Sequence, residues 1–122
     1  MGRERMTHMS DCLFCRIIAG EIPASIVYET DLVLAFRDIN PVAPVHVLVI
    51  PKQHYTDIVE LADADPALAG AVMGAIAEVA RLEGIAETGF RASFNTGAGG
   101  GQTVFHAHAH VMGGRPLSLS LG

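Results

Sequence analysis

Gly100-Gly101-Gln102-Thr103-Val104-Phe105-His106-Ala107-His108-Ala109-His110-Val111-Met112-Gly113-Gly114 carries three of the chain's six histidines at strict alternation, with glycines at both ends. In a β-strand, residues i, i+2 and i+4 point to one face, about 6.6 Å apart along the strand. His106, His108 and His110 then form one row, and Phe105, Ala107, Ala109 and Val111 form the opposite surface, suited to packing under a helix or against a core. In a helix, His108 would point about 200° away from His106, and the alternation would have no geometric meaning. Alanine favours the helix, but the flanking glycine pairs and the run Thr103, Val104, Phe105 favour a strand, which is the expectation.

The chain of 122 residues is long enough for one domain with a real core and too short for two. Half of its residues are hydrophobic and 17% are charged, an ordinary globular composition. With a net charge of −5 and Lys52 as its single lysine, it is a poor candidate for gripping long nucleic acid, which needs many Lys and Arg contacts to phosphates. One small phosphate could still be held by histidines and backbone N–H groups. The apolar segment near the N-terminus is broken by Asp11 and Arg16, and no stretch reaches the length of a membrane span, so a cytoplasmic protein is expected. Residues 1–10 are expected to be a mobile lead-in, with the single domain over 11–122. Cys12 and Cys15 are spaced C-x-x-C, which in a reducing compartment points to metal or redox chemistry before a structural disulfide. The pair lies ahead of any expected strand, which weakens the redox reading.

Leu13 to Ala19 is expected to be a short helix closed by Gly20. Ile26 to Glu29 and Val33 to Arg37 read as strands around a turn at Thr30-Asp31, and His46 to Ile50 as a Val-rich strand bounded by Pro44 and Pro51. Asp65-Pro66 opens the clearest helix, with aspartate as N-cap, proline at the first helical position and Gly84 just past the end. Its stripe of Leu68, Val72, Ile76 and Val79 should pack on the sheet. Phe90 to Asn95 is the next strand, joined to the histidine strand by the glycine loop 97–101. The sum is an α+β domain of about five mainly antiparallel strands, with one long and one or two short helices.

Three imidazoles on one face can ligate a metal, or can bind and attack a phosphorus centre. A neutral imidazole is a competent nucleophile near neutral pH, and a protonated neighbour can donate to phosphoryl oxygens. The loop Asn95-Thr96-Gly97-Ala98-Gly99-Gly100-Gly101-Gln102-Thr103 offers backbone N–H groups unshielded by side chains, a suitable wall for phosphate. It is not a Walker A loop, because Gln102 stands where the lysine should precede Thr103.

The run Gln102-Thr103-Val104-Phe105-His106-Ala107-His108-Ala109-His110-Val111-Met112 resembles the signature of the histidine triad (HIT) family. Cys12-Leu13-Phe14-Cys15-Arg16-Ile17-Ile18-Ala19-Gly20-Glu21-Ile22-Pro23-Ala24, Ala35-Phe36-Arg37-Asp38-Ile39-Asn40-Pro41 and His46-Val47-Leu48-Val49-Ile50-Pro51-Lys52-Gln53-His54 are similar to the family's Hint-like branch in order and spacing. The resemblance spans Cys12 to Arg115 and implies a HIT-like fold and a homodimer. It further implies a nucleotidyl hydrolase acting on purine nucleoside 5′-phosphoramidates and related adenylates, with no cofactor required for catalysis.

By the same resemblance, His108 attacks the α-phosphorus to give a nucleotidylated histidine that water then cleaves. His110 and His106 hold phosphate oxygens or assist the leaving group, and His46 completes the cluster. Asn95, Gly101, Gln102 and Thr103 match phosphate and leaving-group contacts, and Asp38 matches the acceptor for the ribose hydroxyls. Phe14, Ile17, Ile22, Phe36 and Ile39 match the apolar slot for the base. Members with the C-x-x-C also bind a structural zinc, here through Cys12, Cys15, His54 and His106, and two thiolates with two imidazoles suit tetrahedral Zn²⁺. Many Hint-like members end in a Trp-Pro-Pro-Gly tail, whereas this chain has no tryptophan, so leaving-group preference does not carry over. Two alternatives remain: a dinucleoside polyphosphate hydrolase sharing the triad, and a non-catalytic, zinc-stapled nucleotide-binding or adaptor protein.

Overall fold

The computed structural model describes residues 11–120, so the expected lead-in over residues 1–10 lies outside the described residues. Five strands form one antiparallel sheet: β1 (Ile26–Glu29), β2 (Val33–Arg37), β3 (Val45–Pro51), β4 (Phe90–Phe94) and β5 (Ala109–Gly113), in the order β1-β2-β3-β5-β4. Helices α1 (Leu13–Ile18), α2 (Ile58–Ala64) and α3 (Pro66–Leu82) accompany it. Among the described residues no helix is long and apolar enough to cross a membrane.

Side-chain alternation sorts the sheet into two cores. Val33, Ala35, Val47, Val49, Ala109 and Val111 point to the face covered by α3, where they meet Leu68, Val72, Ile76 and Val79. Leu34, Phe36, Leu48 and Ile50 point the other way and pack with Phe14 of α1. β3 is thus buried on both faces, which is why it reads as an almost unbroken apolar run. The one polar side chain in that run, His46, lies on the second face.

The histidine strand differs from expectation in where pairing begins. β5 starts at Ala109, so His106 and His108 precede the paired strand. Continuing the β3–β5 register would set Pro51 opposite Ala107, and proline has no N–H for the ladder. The Ala107 N–H donates instead to the Tyr55 carbonyl at 2.7 Å. The chain stays extended in effect: Ala107 joins the core under α3, while His106 and His108 turn to the opposite side. Phe105 does not share the packed face expected for it and is 47% exposed.

Strand limits elsewhere fall within a residue of expectation, and α1 ends at Ile18. Sequence reading placed no helix at α2, although Asp57 and Glu60 were its signal. Asp57 caps it by accepting the Glu60 N–H at 2.9 Å, and Glu60 reaches back past the cap to accept the Thr56 N–H at 2.6 Å. Asp65 both ends α2 and starts α3, accepting the Leu68 N–H at 3.0 Å, with Pro66 at the first helical position. Asp65→Ala is expected to lower stability by about 1 kcal/mol, read as a lower guanidinium midpoint. An unchanged midpoint would show that this cap does not hold the α2–α3 junction.

Candidate functional site

The even-numbered side of the sheet is only partly covered by the short helix α1, and the polar residues gather there in two adjoining groups. The first is built on the start of α1. Cys12 is the N-cap, its Sγ accepting the Cys15 N–H, so both sulfurs face one side of a single helical turn. His54, from the segment after β3, and His106 complete the group, with ligand atoms of all four residues within 4.8 Å of one another. His106 Nδ1 lies 3.5 Å from Cys12 Sγ, 3.6 Å from Cys15 Sγ and 3.1 Å from His54 Nδ1; Cys15 Sγ is 3.3 Å from His54 Nδ1.

Three of those spacings fall on the edges of a tetrahedral zinc site, about 3.3–3.8 Å for ordinary Zn–N and Zn–S bonds, and the 3.1 Å between the two imidazoles is slightly shorter. The second nitrogen of His106 strengthens the fit. Its Nε2 is 2.8 Å from the Pro51 carbonyl, which can only accept, so the proton sits on Nε2 and the Nδ1 lone pair faces the sulfurs. Burial holds the His106 imidazole down to about 4, so it is neutral at pH 7. Burial and the neighbouring Cys12 push the Cys15 thiol up to about 12, so a thiolate there requires a cation beside it. Cys12, Cys15, His54 and His106 thus form a group able to hold a structural zinc, which would pin α1 to the histidine segment.

The second group contains His108, His110, His46 and Asp38. The His108 ring packs edge-on against Phe14, with centroids 5.1 Å apart, and stands 5.0 Å from the His110 ring. His108 Nδ1 donates to the His106 carbonyl at 2.8 Å, which leaves the lone pair on Nε2. His46 and His110 are diagonal neighbours across β3 and β5. The Val42 N–H donates to His46 Nδ1 at 3.2 Å, so His46 carries its proton on Nε2. That Nε2 is 3.0 Å from His110 Nδ1 and 3.4 Å from Asp38 Oδ2. His110 Nδ1 must therefore accept, and its own proton sits on Nε2. Neighbouring imidazoles thus present opposite faces: His108 offers a lone pair and His110 an N–H.

Burial is the main cause of depressed basicity here. It lowers His108, against the raising effect of the His106 carbonyl and of Asp38, and it brings His110 down to about 4 with help from His108 and His46. Both rings are placed to be neutral at pH 7. Asp38 Oδ1 accepts the Asn40 N–H at 2.8 Å, so Asp38 shapes its own turn while Oδ2 reaches the histidines.

Phe14 and Phe36 are buried and touch edge-on at 5.5 Å, Ile17 and Ile22 are half-buried, and Ile39 is 91% exposed. The glycine loop is not the open row of N–H groups that its composition implied. It contains a 3₁₀ turn over Ala98–Gly100, and the N–H groups of Gly97, Gly100, Gly101 and Gln102 are all bonded within the loop. Gln102 is buried, accepting from the Gly97 N–H and donating to the Thr56 and Val104 carbonyls, so its amide braces the loop. Asn95 Nδ2 donates to the Gly100 carbonyl at 2.9 Å, Gly101 takes a left-handed conformation (φ 84°), and Thr103 is exposed.

The HIT domain family model matches residues 19–117. A purine nucleoside phosphoramidase of Escherichia coli (strain K12) is 45% identical over 111 residues, covering 91% of this chain and 93% of that protein. Protein HitA of Neisseria gonorrhoeae is 47% identical over 105 residues, covering 86% of this chain and 97% of that protein. Among solved structures, a HIT family hydrolase from Legionella pneumophila Philadelphia 1 superposes with a TM-score of 0.87 at 46% identity, covering 92% of this chain and all of that one (100%).

Protein purified without chelator is expected to carry about one zinc per chain. Cys15→Ser should lose the metal and lower the melting temperature. A metal-free wild-type chain whose melting is insensitive to added zinc would remove the site. With this geometry and these likenesses together, the chain belongs to the HIT domain family.

Proposed function

We propose that the chain is a nucleotidyl hydrolase that cleaves purine nucleoside 5′-phosphoramidates and related adenylates through a covalent intermediate on His108. The observation that carries the proposal is the pairing of the His108 Nε2 lone pair with the His110 Nε2–H on an adjoining ring. Attack by His108 Nε2 forms the N–P bond as the P–N bond to the leaving amine breaks. His108 Nδ1–H, held by the His106 carbonyl, stabilises the positive charge that the imidazole gains. His110 Nε2–H donates a hydrogen bond to the phosphoryl oxygens, and the leaving nitrogen, which departs readily once protonated, takes its proton from solvent. Water then cleaves the nucleotidylated imidazole, placing its hydroxyl on phosphorus, returning its other proton to solvent and regenerating His108.

The supporting residues take their parts from position. His46 orients His110, and His106 orients His108 through its backbone while its ring serves the metal group. Asp38 keeps lone pairs able to accept from both ribose hydroxyls. Phe14 and Phe36 form the wall of the base slot, with Ile17, Ile22 and exposed Ile39 at its margin. Asn95, Gly101 and Thr103 border the leaving group, and Gln102 contributes as the brace of their loop. Zinc, when bound, supplies structural stapling and takes no part in the bond changes.

A homodimer fits the sheet. β4 is an edge strand with one side of its backbone ladder outward, and Phe90, Met73 and Leu82 are exposed. A reducing cytoplasm would keep Cys12 and Cys15 available to metal. In solution, light scattering should give twice the chain mass, and a monomer at micromolar concentration would refute the dimer.

His108→Ala is expected to abolish turnover of adenosine 5′-phosphoramidate while circular dichroism stays unchanged. Because burial lowers His108 from the ordinary imidazole value of 6.5 and brings His110 to about 4, the acid limb of wild-type kcat/KM should be centred below 6.5. Normal activity in the variant would overturn the nucleophile, and an acid limb centred at 6.5 would overturn the depressed pair. Faster turnover of a dinucleoside polyphosphate than of any phosphoramidate would overturn the substrate class.

A further inference from the structure

The loop 38–44 carries the N–H that sets the His46 tautomer; Asp38 braces its first half by accepting the Asn40 N–H, and its second half, around Val42, is held from outside. Val42 is 64% exposed, and Ala43 is its buried hydrophobic residue. The Asp38 N–H ties the start of the loop to the His46 carbonyl at 3.0 Å, and the segment after β5 restrains the part around Val42. Arg115 Nη2 donates to the Val42 carbonyl at 3.0 Å, and Nη1 donates to the Pro116 carbonyl at 3.1 Å, which orients the guanidinium. Just before it, Gly114 (φ 95°) passes so close to the loop that a Cβ there would meet the Pro44 Cβ at 2.9 Å. Farther on, Arg91 of β4 donates to the Ser118 carbonyl. Residues 114–118 therefore form a strap tied at three points, and one of them is the residue that donates to His46.

We propose that Arg115 is a positioning residue for the histidine site: its clamp on the Val42 carbonyl keeps the Val42 N–H on His46 Nδ1, and so keeps the reactive proton on His110 Nε2. The chain of contacts is continuous, from Arg115 Nη2 to Val42, from the Val42 N–H to His46 Nδ1, and from His46 Nε2 to His110 Nδ1. The Val42 bond, at 3.2 Å, is the longest of the three. When Val42 moves away, His46 Nδ1 is open to a proton from water. In that tautomer His46 Nε2 accepts, His110 Nδ1 must donate, and His110 Nε2 no longer carries an N–H toward the substrate. Asp38 Oδ2 lies 3.4 Å from His46 Nε2 and favours the proton there, so loss of the clamp shifts the population without converting all of it. The guanidinium is exposed, and its hydrogen bonds contribute little to global stability.

The inference rests on the nucleotidyl-hydrolase reading for its kinetic consequence, but the tautomer can be read without substrate. Imidazole ¹⁵N–¹H correlation spectra of the full chain report which His46 nitrogen is protonated. Arg115→Met should populate the Nδ1–H form of His46, visible in the spectrum, and lower kcat about five- to tenfold with KM little changed. Arg115→Lys, which keeps one donor for the Val42 carbonyl, should restore both. A folded Arg115→Met with the wild-type His46 tautomer overturns the proposal, as does an altered tautomer with unchanged kcat. Should Arg115→Met fail to fold, Arg115→Lys with lost activity and wild-type tautomer would overturn it equally. A wild-type protein inert toward every phosphoramidate would defeat the proposed function, and the spectra would still decide the role of Arg115.

Discussion

His106 is bonded in three directions, and the two halves of the site depend on it. Its Nδ1 faces Cys12, Cys15 and His54, its Nε2–H is held by the Pro51 carbonyl, and its own carbonyl takes the proton on His108 Nδ1. The ring is 0% exposed, so none of these directions is left to water. Rotation of the ring would misalign the metal group, and a shift of its backbone would free the tautomer of His108. One residue thus couples the group of Cys12, Cys15 and His54 to the group of His108, His110 and His46.

Such a site needs a sheet that is dry on one face and only partly covered on the other. α3 closes the first face with a continuous apolar stripe, while α1, six residues long, covers part of the second. The imidazoles lie beside and beneath α1, with His46, His106 and His108 buried and His110 half-buried. Burial there keeps His106 and His110 neutral, and hydrogen bonds to carbonyls and to a backbone N–H then select which nitrogen of each ring is basic. Charge is excluded by desolvation, and direction is supplied by backbone dipoles.

Much of the fold was legible because its signals are local. Asp65-Pro66 reads as a cap followed by proline, and the Val-rich run before Pro51 reads as a strand, since both preferences arise within a few residues. The short helix over Ile58–Ala64 was missed although Asp57 and Glu60 advertise its cap. The glycine loop differs in another way: its composition suggests bare N–H groups, but the Gln102 side chain accepts the one from Gly97, and backbone carbonyls of the loop accept those of Gly100, Gly101 and Gln102. The parting of His106 from His110 was not local either, because the strand begins only where Pro51 stops interrupting the ladder.

By itself, the sequence determined the alternation that sends His106, His108 and His110 to one side and Ala107, Ala109 and Val111 to the other, because successive side chains of an extended chain oppose each other whatever surrounds them. It also determined the residue types and, through family resemblance, the grouping of Cys12 and Cys15 with His54. Only the tertiary structure decided which nitrogen of each ring is protonated. That choice depends on partners brought near by strand register and loop packing: Pro51 for His106, Val42 for His46, and His46 for His110. A tautomer is a property of the neighbouring dipoles, and those neighbours lie up to 64 residues away in the chain.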